Sequence, residues 1–317
     1  MVPSNRNIVI DLIVPVFNES DSMVPHIENM LNTVRRAGYT PHIILVDDGS
    51  IDNTWGVIKE LSIRHPEIEG IRLSRNFGKD NSIFTGLKHS RGMAAITIDS
   101  DGQHPISMLP EMLNSWSTGS LIVHTTKAKR LKEGIWVKLR ARVFNCIISK
   151  LMNTNLAGAS DYKLLDKKIV EILQMYATSN SIYRFLVASF GFPSVTLSMN
   201  TLPSPRPSRW RLTSLFQLSI RAIMFHTDVP IKAFALLILF TMGLTVVLFG
   251  ILLLSLISQT VSEGYSTMLI LSLLNLCITT VGITGISVYL KGTLDIVEGR
   301  AGAIEWERTS TEIEKRK

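Results

Sequence analysis

Apolar and polar positions alternate in blocks over the first 125 residues. Short apolar runs predict buried strands, and the stretches between them carry apolar residues at helical spacing. The predicted strands cover residues 8–16, 42–46, 70–74, 94–98 and 120–125, and the predicted helices cover residues 22–37, 53–64, 80–90 and 107–116. Strands and helices that alternate through short connections predict an α/β fold, with a mostly parallel sheet and helices on both of its faces.

Two much longer apolar runs stand in the carboxyl-terminal third of the chain. Residues 231–257 carry only Lys232 near their start, and residues 267–290 contain no charged side chain. A helix needs about 20 apolar residues to cross the hydrocarbon core of a bilayer, and both runs exceed that length. The pattern predicts a two-helix transmembrane hairpin. The alternative is a buried helical hairpin in a soluble protein.

The basic residues around these runs predict an orientation. The link at residues 258–266 has Glu263 but no Lys or Arg, whereas basic residues precede the first run and follow the second. Because cytoplasmic flanks of membrane spans are enriched in Lys and Arg, we expect both termini in the cytoplasm. The apolar stretch at residues 8–16 is short and contains Asp11, so no signal peptide is expected.

The formal net charge of +7 at pH 7 is concentrated in two segments. Residues 127–142 hold seven basic residues, and residues 206–232 hold five. These segments overlap two stretches of amphipathic pattern, residues 136–152 and 212–225, which predict helices at a membrane interface. For the first stretch, packing in the core is the open alternative. We therefore expect membrane lipids as partners, and no nucleic acid.

Polar clusters follow three of the predicted strands, at residues 17–19, 47–50 and 99–101. Ligands of parallel sheets bind beyond the carboxyl ends of the strands, so we expect these clusters to converge. Asp99 and Asp101 are two residues apart in extended chain and project to the same side. The alternative for this pair is a solvated turn.

The chemistry of the clusters favours a nucleotide diphosphate. With Gln103, the pair Asp99 and Asp101 offers oxygen ligands to a divalent cation that takes its other ligands from water and phosphate. Asp47 and Asp48 can accept hydrogen bonds from a ribose or a base. The chain has no Gly-x-Gly-x-x-Gly after its first strand and no Walker-type glycine loop, so dinucleotide and Walker interpretations lack their fingerprint.

Four motifs carry a resemblance to a known family. They are Pro-Val-Phe-Asn-Glu at residues 15–19, Val-Asp-Asp-Gly-Ser at 46–50, Arg-Asn-Phe-Gly-Lys at 75–79 and Asp-Ser-Asp-Gly-Gln-His-Pro at 99–105. In this order the chain resembles family-2 glycosyltransferases, and more narrowly the polyprenyl-phosphate branch, with its dolichol-phosphate mannose synthases and bacterial bactoprenol glucosyltransferases. The likeness covers roughly residues 8–300.

The resemblance implies a domain plan. A GT-A-type catalytic domain would occupy residues 1–203, a juxtamembrane amphipathic segment residues 204–228, and the two transmembrane helices residues 229–291. A cytoplasmic tail would follow at residues 292–317, and its charged end from residue 305 onward is expected to be a solvated helix or disordered.

The resemblance also implies roles for individual residues. The donor nucleotide would be bound by Pro15, Phe17, Glu19, Asp47, Asp48, Asn76, Lys79 and Asp99. Mg²⁺ or Mn²⁺ would be bound by Asp99, Asp101 and Gln103. The predicted catalytic residues are Asp161, Asp101 and Arg209. The acceptor phosphate would be bound by Lys127, Arg140, Arg142, Arg206 and Arg209.

Two of these roles have open alternatives. Asp161 could instead cap the helix expected near Lys167 or pair with Lys163. The arginines near residue 206 could be the ordinary basic flank of a membrane span. The motifs also depart from the family: Arg206 stands where many relatives have Gly, and Thr125-Thr126-Lys127 replaces a common Gly-x-Arg, which leaves the donor and the phosphate contacts open.

The expected function is metal-dependent, inverting transfer of a hexose from a nucleotide sugar resembling UDP-glucose to undecaprenyl or another polyprenyl phosphate. It would take place on the cytoplasmic face of a bacterial inner membrane, in a homo-oligomer that relatives suggest is a tetramer. A phosphate monoester with a second pKa of about 6 is largely dianionic at neutral pH, so Asp161 would orient a reactant rather than remove a proton. The alternatives are another lipid or polysaccharide acceptor, or an inactive membrane-anchored subunit that binds nucleotide sugar.

Overall fold

The computed structural model describes residues 8–20, 23–127, 159–178, 181–199, 229–257, 265–297 and 302–309. The chain forms two compact units, one within residues 1–212 and 301–317 and the other within residues 213–300. The predicted boundary after residue 203 and the juxtamembrane segment at residues 204–228 lie outside the described residues. They stay predictions.

The first unit is built on one sheet of eight strands. In chain order these are β1 Val9–Val16, β2 Thr40–Asp47, β3 Ile68–Leu73, β4 Ala94–Thr97, β5 Ile122–Lys127, β6 Ala159–Asp166, β7 Ser194–Met199 and β8 Glu305–Arg308. Their order across the sheet is β7-β5-β6-β4-β1-β2-β3-β8. β6 runs antiparallel to β4 and β5, β8 runs antiparallel to β3, and the other pairs are parallel. The mostly parallel sheet is confirmed.

Helices cover both faces of the sheet. They are α1 Met23–Arg36, α2 Thr54–Arg64, α3 Lys79–Lys88, α4 Leu109–Ser117, α5 Lys167–Tyr176 and α6 Tyr183–Ser189. Successive strand residues point to opposite faces, so Leu12 packs in the cluster that includes residues of α1, α2 and α4, and Ile13 packs with α3, α5 and α6. Apolar side chains are fully buried on both faces of β1, which explains its nearly continuous apolar run.

The strand β6 gives the sheet a reversed member that the sequence did not indicate. It lies between β4 and β5, with Thr97 opposite Lys163 and Leu165 opposite Ala95. Because β6 runs against β4, its amino-terminal residues lie near the carboxyl end of β4. This reversal brings Asp161 to the edge of the sheet where the predicted ligand clusters meet.

The strand β8 corrects one expectation. Residues 305–308 are neither a solvated helix nor disordered: they form an edge strand antiparallel to β3, with Ile71 opposite Arg308. The sequence Glu-Trp-Glu-Arg has three charged residues in four and no apolar alternation. Its strand conformation depends on an existing sheet edge that offers unpaired backbone groups.

The second unit contains two long apolar helices, α7 Val229–Ile257 and α8 Tyr265–Val297. The windows Lys232–Ile251 and Ile270–Ser287 are long and apolar enough to cross a membrane, with mean hydropathies of 2.6 and 1.8. Only 6% of each window is buried, unlike the core helix of a soluble protein. Asn275 Nδ2 donates to Thr245 Oγ1 at 2.5 Å, a polar contact that joins the two helices.

Candidate active site

A cavity of about 420 Å³ opens beyond the carboxyl ends of β1, β2 and β4. Parallel strands end at one edge of a sheet, so the loops that follow them share this space. The cavity lining includes most of the predicted donor residues, namely Pro15, Phe17, Glu19, Asp48, Asn76, Lys79 and Asp99, together with the predicted metal ligand Asp101. The three polar clusters therefore converge in the fold.

The loops after β1 and β2 are joined by their own polar atoms. Asn18, which has a positive φ of 55°, donates its backbone N–H to Ser50 Oγ at 2.9 Å. Its side-chain Oδ1 accepts from the backbone N–H of Ile51 at 3.0 Å. The backbone N–H of Glu19 donates to Thr54 Oγ1 at 2.9 Å. These bonds hold one wall of the cavity in a single arrangement.

The two neighbouring aspartates at the carboxyl end of β2, Asp47 within the strand and Asp48 just after it, have different surroundings. Asp48 lines the cavity and accepts hydrogen bonds from the backbone N–H groups of Phe77 at 2.7 Å and Gly78 at 3.0 Å. Burial raises the pKa of Asp48 to about 6 even though these bonds lower it. Asp47 is fully buried, accepts from the Ser50 N–H at 2.9 Å and is not among the lining residues. Its contact with a nucleotide stays a prediction.

Gly49 is required by the turn between these aspartates and Ser50. Its φ of +68° lies in the left-handed region, and a Cβ there would lie 2.5 Å from the carbonyl carbon of Arg75. Any other residue would push the turn away from the loop after β3.

Asp99 and Asp101 both line the cavity, and each has partners of its own. Asp99 lies 2.7 Å from Lys79 Nζ and 3.0 Å from His104 Nε2. Asp101 accepts from the backbone N–H of Gln103 at 3.0 Å and from its side-chain Nε2 at 2.7 Å. The carboxylate pair is thus set in place by protein groups.

Lys79, Asp99 and His104 form one group of polar side chains, and Asp161 joins this group from the reversed strand β6. Lys79 Nζ lies 3.0 Å from its Oδ2, and Arg184 donates from Nε and Nη2 at 3.1 Å each. The cap of helix α5 is Asp166, which accepts from the backbone N–H of Lys168, so Asp161 has no capping role. The described partners of the Asp161 side chain also do not include Lys163, whose Nζ lies 3.2 Å from His124 Nδ1.

The charges of this group keep its carboxylates ionised. Burial alone would raise the pKa of Asp161, but the charges of Lys79 and Arg184 hold it far below its usual range. Burial would likewise raise the pKa of Asp99, and Lys79 and His104 lower it strongly. The pKa of Lys79 is raised, because the two carboxylates outweigh its burial. A carboxylate with so low a pKa is a weak proton acceptor.

Two residues of this group were missed in the sequence. Arg184 is the second residue of α6 and belongs to no motif, so only the fold reveals that its guanidinium donates two hydrogen bonds to Asp161. His104 belongs to the motif at residues 99–105 but was assigned no role, although its place five residues after Asp99 was a usable signal. It is buried, and its ring centroid lies 5.0 Å from that of Tyr162.

Most of the predicted acceptor residues lie outside the described residues. These are Arg140, Arg142, Arg206 and Arg209. Lys127 ends β5, and only its backbone is described. Their roles stay predictions.

The carboxylates suit a divalent cation that is shared with a substrate. Among the described residues, no group of three or more His, Cys, Asp or Glu side chains could hold a metal ion. Asp99 and Asp101 nevertheless bring hard oxygen atoms into one cavity. Mg²⁺ and related ions are commonly held by one or two carboxylates, together with water and substrate phosphates. The donor set fits such an ion.

Comparison with protein families agrees with this geometry. The model of glycosyl transferase family 2 matches residues 11–188, which is more than half of the chain. The chain belongs to glycosyl transferase family 2. It is therefore a glycosyltransferase, and the matched region covers β1 to β6 with the cavity between them.

Several relatives of this glycosyltransferase span most of its length. It is 25% identical over 274 residues to the uncharacterized glycosyltransferase YkcC of Bacillus subtilis, and this alignment covers 85% of this chain and 84% of the relative. It is 25% identical over 238 residues to the bactoprenol glucosyl transferase of Shigella phage SfX, with 74% of this chain and 78% of the relative covered. Among solved structures, mannosyl-3-phosphoglycerate synthase from Rubrobacter xylanophilus matches at 18% identity and a TM-score of 0.49, over 68% of this chain and 72% of that one.

Proposed function

We propose that this glycosyltransferase moves a hexose from a nucleotide-diphosphate sugar, with UDP-glucose as the favoured donor, to a polyprenyl phosphate such as undecaprenyl phosphate. The observation that carries the proposal is the cavity at the carboxyl edge of the sheet, which Lys79 and Asp99 line and where Lys79 also contacts Asp161. The relative named bactoprenol glucosyl transferase supports the lipid acceptor, because it matches over 78% of its own length.

The cavity has a separate region for each part of the donor. Phe17 and Asp48 line it after β1 and β2, where an aromatic ring and a carboxylate would contact the base and ribose. Asp99 and Asp101 line it after β4, where they would hold a divalent cation, with Gln103 beside them. When bound, such a cation neutralises the charge of the departing diphosphate.

The transfer step requires no strong base. A phosphate oxygen of the acceptor forms a bond to the anomeric carbon, the bond from that carbon to the diphosphate breaks, and the nucleoside diphosphate leaves with the electron pair. The configuration at the anomeric carbon inverts. The acceptor is already largely dianionic at neutral pH. Asp161, held ionised by Lys79 and Arg184, therefore orients the reactants instead of taking a proton.

The course of the chain supports a membrane-bound enzyme. α7 and α8 are each long enough to span a bilayer, and the chain returns after them to the catalytic unit as β8. Both ends of the helical unit are thus joined to one folded unit, which fits an even number of crossings. With the basic flanks, this supports a cytoplasmic catalytic unit in a bacterial inner membrane.

The acceptor and the assembly are the least constrained parts of the proposal. Lys127, Arg140, Arg142, Arg206 and Arg209 are proposed to bind the lipid phosphate at the membrane surface. Arginine suits this task because its planar guanidinium offers paired donors to phosphate oxygens. A homotetramer is proposed from the resemblance to the family.

The test is transfer of label to lipid. Membranes that contain the full-length protein are incubated with radiolabelled UDP-glucose, undecaprenyl phosphate and Mn²⁺. We expect label in a butanol-extractable lipid that mild acid hydrolyses, and we expect chelation of the metal to abolish it. Asp101→Ala serves as the matched inactive variant. Metal-independent transfer that survives Asp101→Ala would overturn the proposed role of the acidic pair.

A further inference from the structure

The strand β8, which follows the two apolar helices, contacts a residue of β3 that leads to the proposed donor cavity. β8 pairs with β3 so that Glu307 lies opposite Arg72 and Glu305 lies opposite Leu73, which leaves Trp306 as an extra residue between them. An extra residue of this kind bends the strand and redirects its side chain. The guanidinium carbon of Arg72 lies 5.0 Å from the centroid of the Trp306 ring.

Arg72 also reaches the turn that follows β2. Its Nη2 donates to the carbonyl oxygen of Ser50 at 3.2 Å, and its Nε lies 3.4 Å from Oδ2 of Asp47. Asp47 is fully buried, and its other oxygen accepts from the Ser50 N–H. Arg72 therefore connects Trp306 of β8 with both ends of the turn at residues 47–50.

That turn carries the walls of the donor cavity. Ser50 Oγ accepts from the backbone N–H of Asn18, and Asp48 accepts from the backbone N–H groups of Phe77 and Gly78. The loops after β1 and β3 are both attached to it. A shift of the turn would move these two loops, and residues of both line the cavity.

The chemistry of Arg72 suits this position. A guanidinium is planar, so it can stack on an aromatic ring while its N–H groups donate within the same plane. A lysine ammonium would keep the charge but has no planar fork. The contact therefore depends on the shape of arginine as well as on its charge.

We propose that Trp306 and Arg72 are positioning residues for the donor nucleotide. The strand after the apolar hairpin holds the turn at residues 47–50, and through it the base and ribose end of the cavity, in the geometry that binds a nucleoside diphosphate. This inference rests on the proposed donor function and deepens it. It gives the chain beyond the membrane helices a part in substrate affinity.

The competing explanation is that β8 only protects the edge of the sheet. Other contacts anchor the same strand away from the turn: Glu305 lies 2.8 Å from His89 Nε2, and Arg308 Nε lies 2.6 Å from Glu69 Oε1. A purely stabilising strand would lose thermal stability in any of these variants without a selective change in nucleotide affinity. Glu305→Gln is thus the matched control for Arg72 and Trp306.

The experiment measures UDP binding by titration calorimetry, with Mn²⁺ present and the full-length protein in detergent. We expect Kd for UDP to rise about tenfold in both Arg72→Met and Arg72→Lys, since a charged hydrogen-bonded contact is lost or misplaced. We expect a rise of about threefold in Trp306→Leu, as for an exposed cation–π contact. Trp306→Phe and Glu305→Gln should stay close to the wild type. At saturating donor, kcat should change little in each of these variants.

Unchanged UDP affinity in a folded Arg72→Met protein would overturn the inference and leave the proposed function intact. If Arg72→Met does not fold, the comparison of Trp306→Leu with Trp306→Phe decides, because Trp306 is 67% exposed at the edge of the sheet. Equal affinities in those two variants would overturn the inference. A wild-type protein that binds no nucleoside diphosphate and transfers no sugar would overturn the proposed function itself.

Discussion

The sheet carries two sets of ionisable side chains, and the two sets have opposite surroundings. At the carboxyl ends of β1, β2 and β4, acidic groups line an open cavity. In the amino-terminal halves of β1 and β2 and on β3, Asp11, His42 and Glu69 are buried among each other, with Arg308 of β8 paired to Glu69. Residue type alone does not distinguish these sets. Access to a cavity does.

The members of the buried set, here called the internal charge row, are linked to one another by ion pairs. His42 Nδ1 lies 2.8 Å from Asp11 and its Nε2 lies 3.5 Å from Glu69. Asp11 also accepts from the backbone N–H groups of Arg91 and Gly92 before β4. Such a row ties β1, β2, β3 and β8 together. We expect its loss to affect stability, and loss of the cavity set to affect turnover.

The largest expected effect is on the internal charge row. His42→Ala would leave buried Asp11 without its cation and Glu69 with Arg308 alone, and removal of one partner of a buried pair typically costs about 3–5 kcal/mol of unfolding free energy. Thermal or denaturant unfolding of the full-length protein measures this. His65→Ala is the matched control, because its pair with Glu28 is 3.9 Å long and partly exposed, and is expected to contribute less than about 1 kcal/mol. Equal losses in the two variants would contradict the comparison.

The internal charge row should also give a pH dependence. Burial alone would lower the pKa of His42, but the hydrogen bonds and charges of Asp11 and Glu69 raise it from 6.5 to about 9. The stabilisation is therefore fully present below pH 6.5 and is lost as the pH rises to about 9, a change of about 3 kcal/mol. Unfolding of the wild type and of His42→Gln, measured between pH 6 and 10, should differ most at the acidic end. Parallel curves would refute the assignment.

Asp161 contacts Lys79 of the cavity lining, and Asp161→Asn should lower turnover about 100-fold, equivalent to about 2.7 kcal/mol, because the neutral amide no longer matches the charges of Lys79 and Arg184. Donor affinity should change far less. Steady-state transfer and UDP titration separate the two quantities. Wild-type turnover in this variant would remove Asp161 from the mechanism.

A smaller effect is expected at Arg184. Arg184→Lys keeps the charge but loses the forked contact with Asp161, so we expect kcat to fall about tenfold, or about 1.4 kcal/mol, at unchanged UDP affinity. Arg184→Met should reduce kcat further. If the lysine variant is as active as the wild type, then charge alone positions Asp161.

The sequence was sufficient for the first four βα units and for the residues that follow their strands. Local patterns were enough because an apolar run predicts a strand, and the Asp-Asp-Gly-Ser or Asp-Ser-Asp sequence that follows it predicts where the strand ends. Parallel topology then implied that these ends share one edge. The polar clusters at residues 17–19, 47–50 and 99–101 could be placed on this basis, whereas Pro15, Asn76 and Lys79 were named from the family resemblance; the cavity lining includes residues of all three clusters and these three residues.

The resemblance named Asp161, but only the tertiary structure could show how remote residues come together around it. Asp161 enters on a reversed strand, Arg184 arrives 23 residues later, and Trp306 returns after both apolar helices. Asp47 belongs to the Val-Asp-Asp-Gly-Ser motif, but it is fully buried and does not line the cavity. The amino-acid sequence determined the approximate positions of the first five strands and of the two membrane-length helices, because those signals are periodic and local. It left open which carboxylates face a cavity and which face a buried cation, since that depends on neighbours brought together by pairing between distant segments.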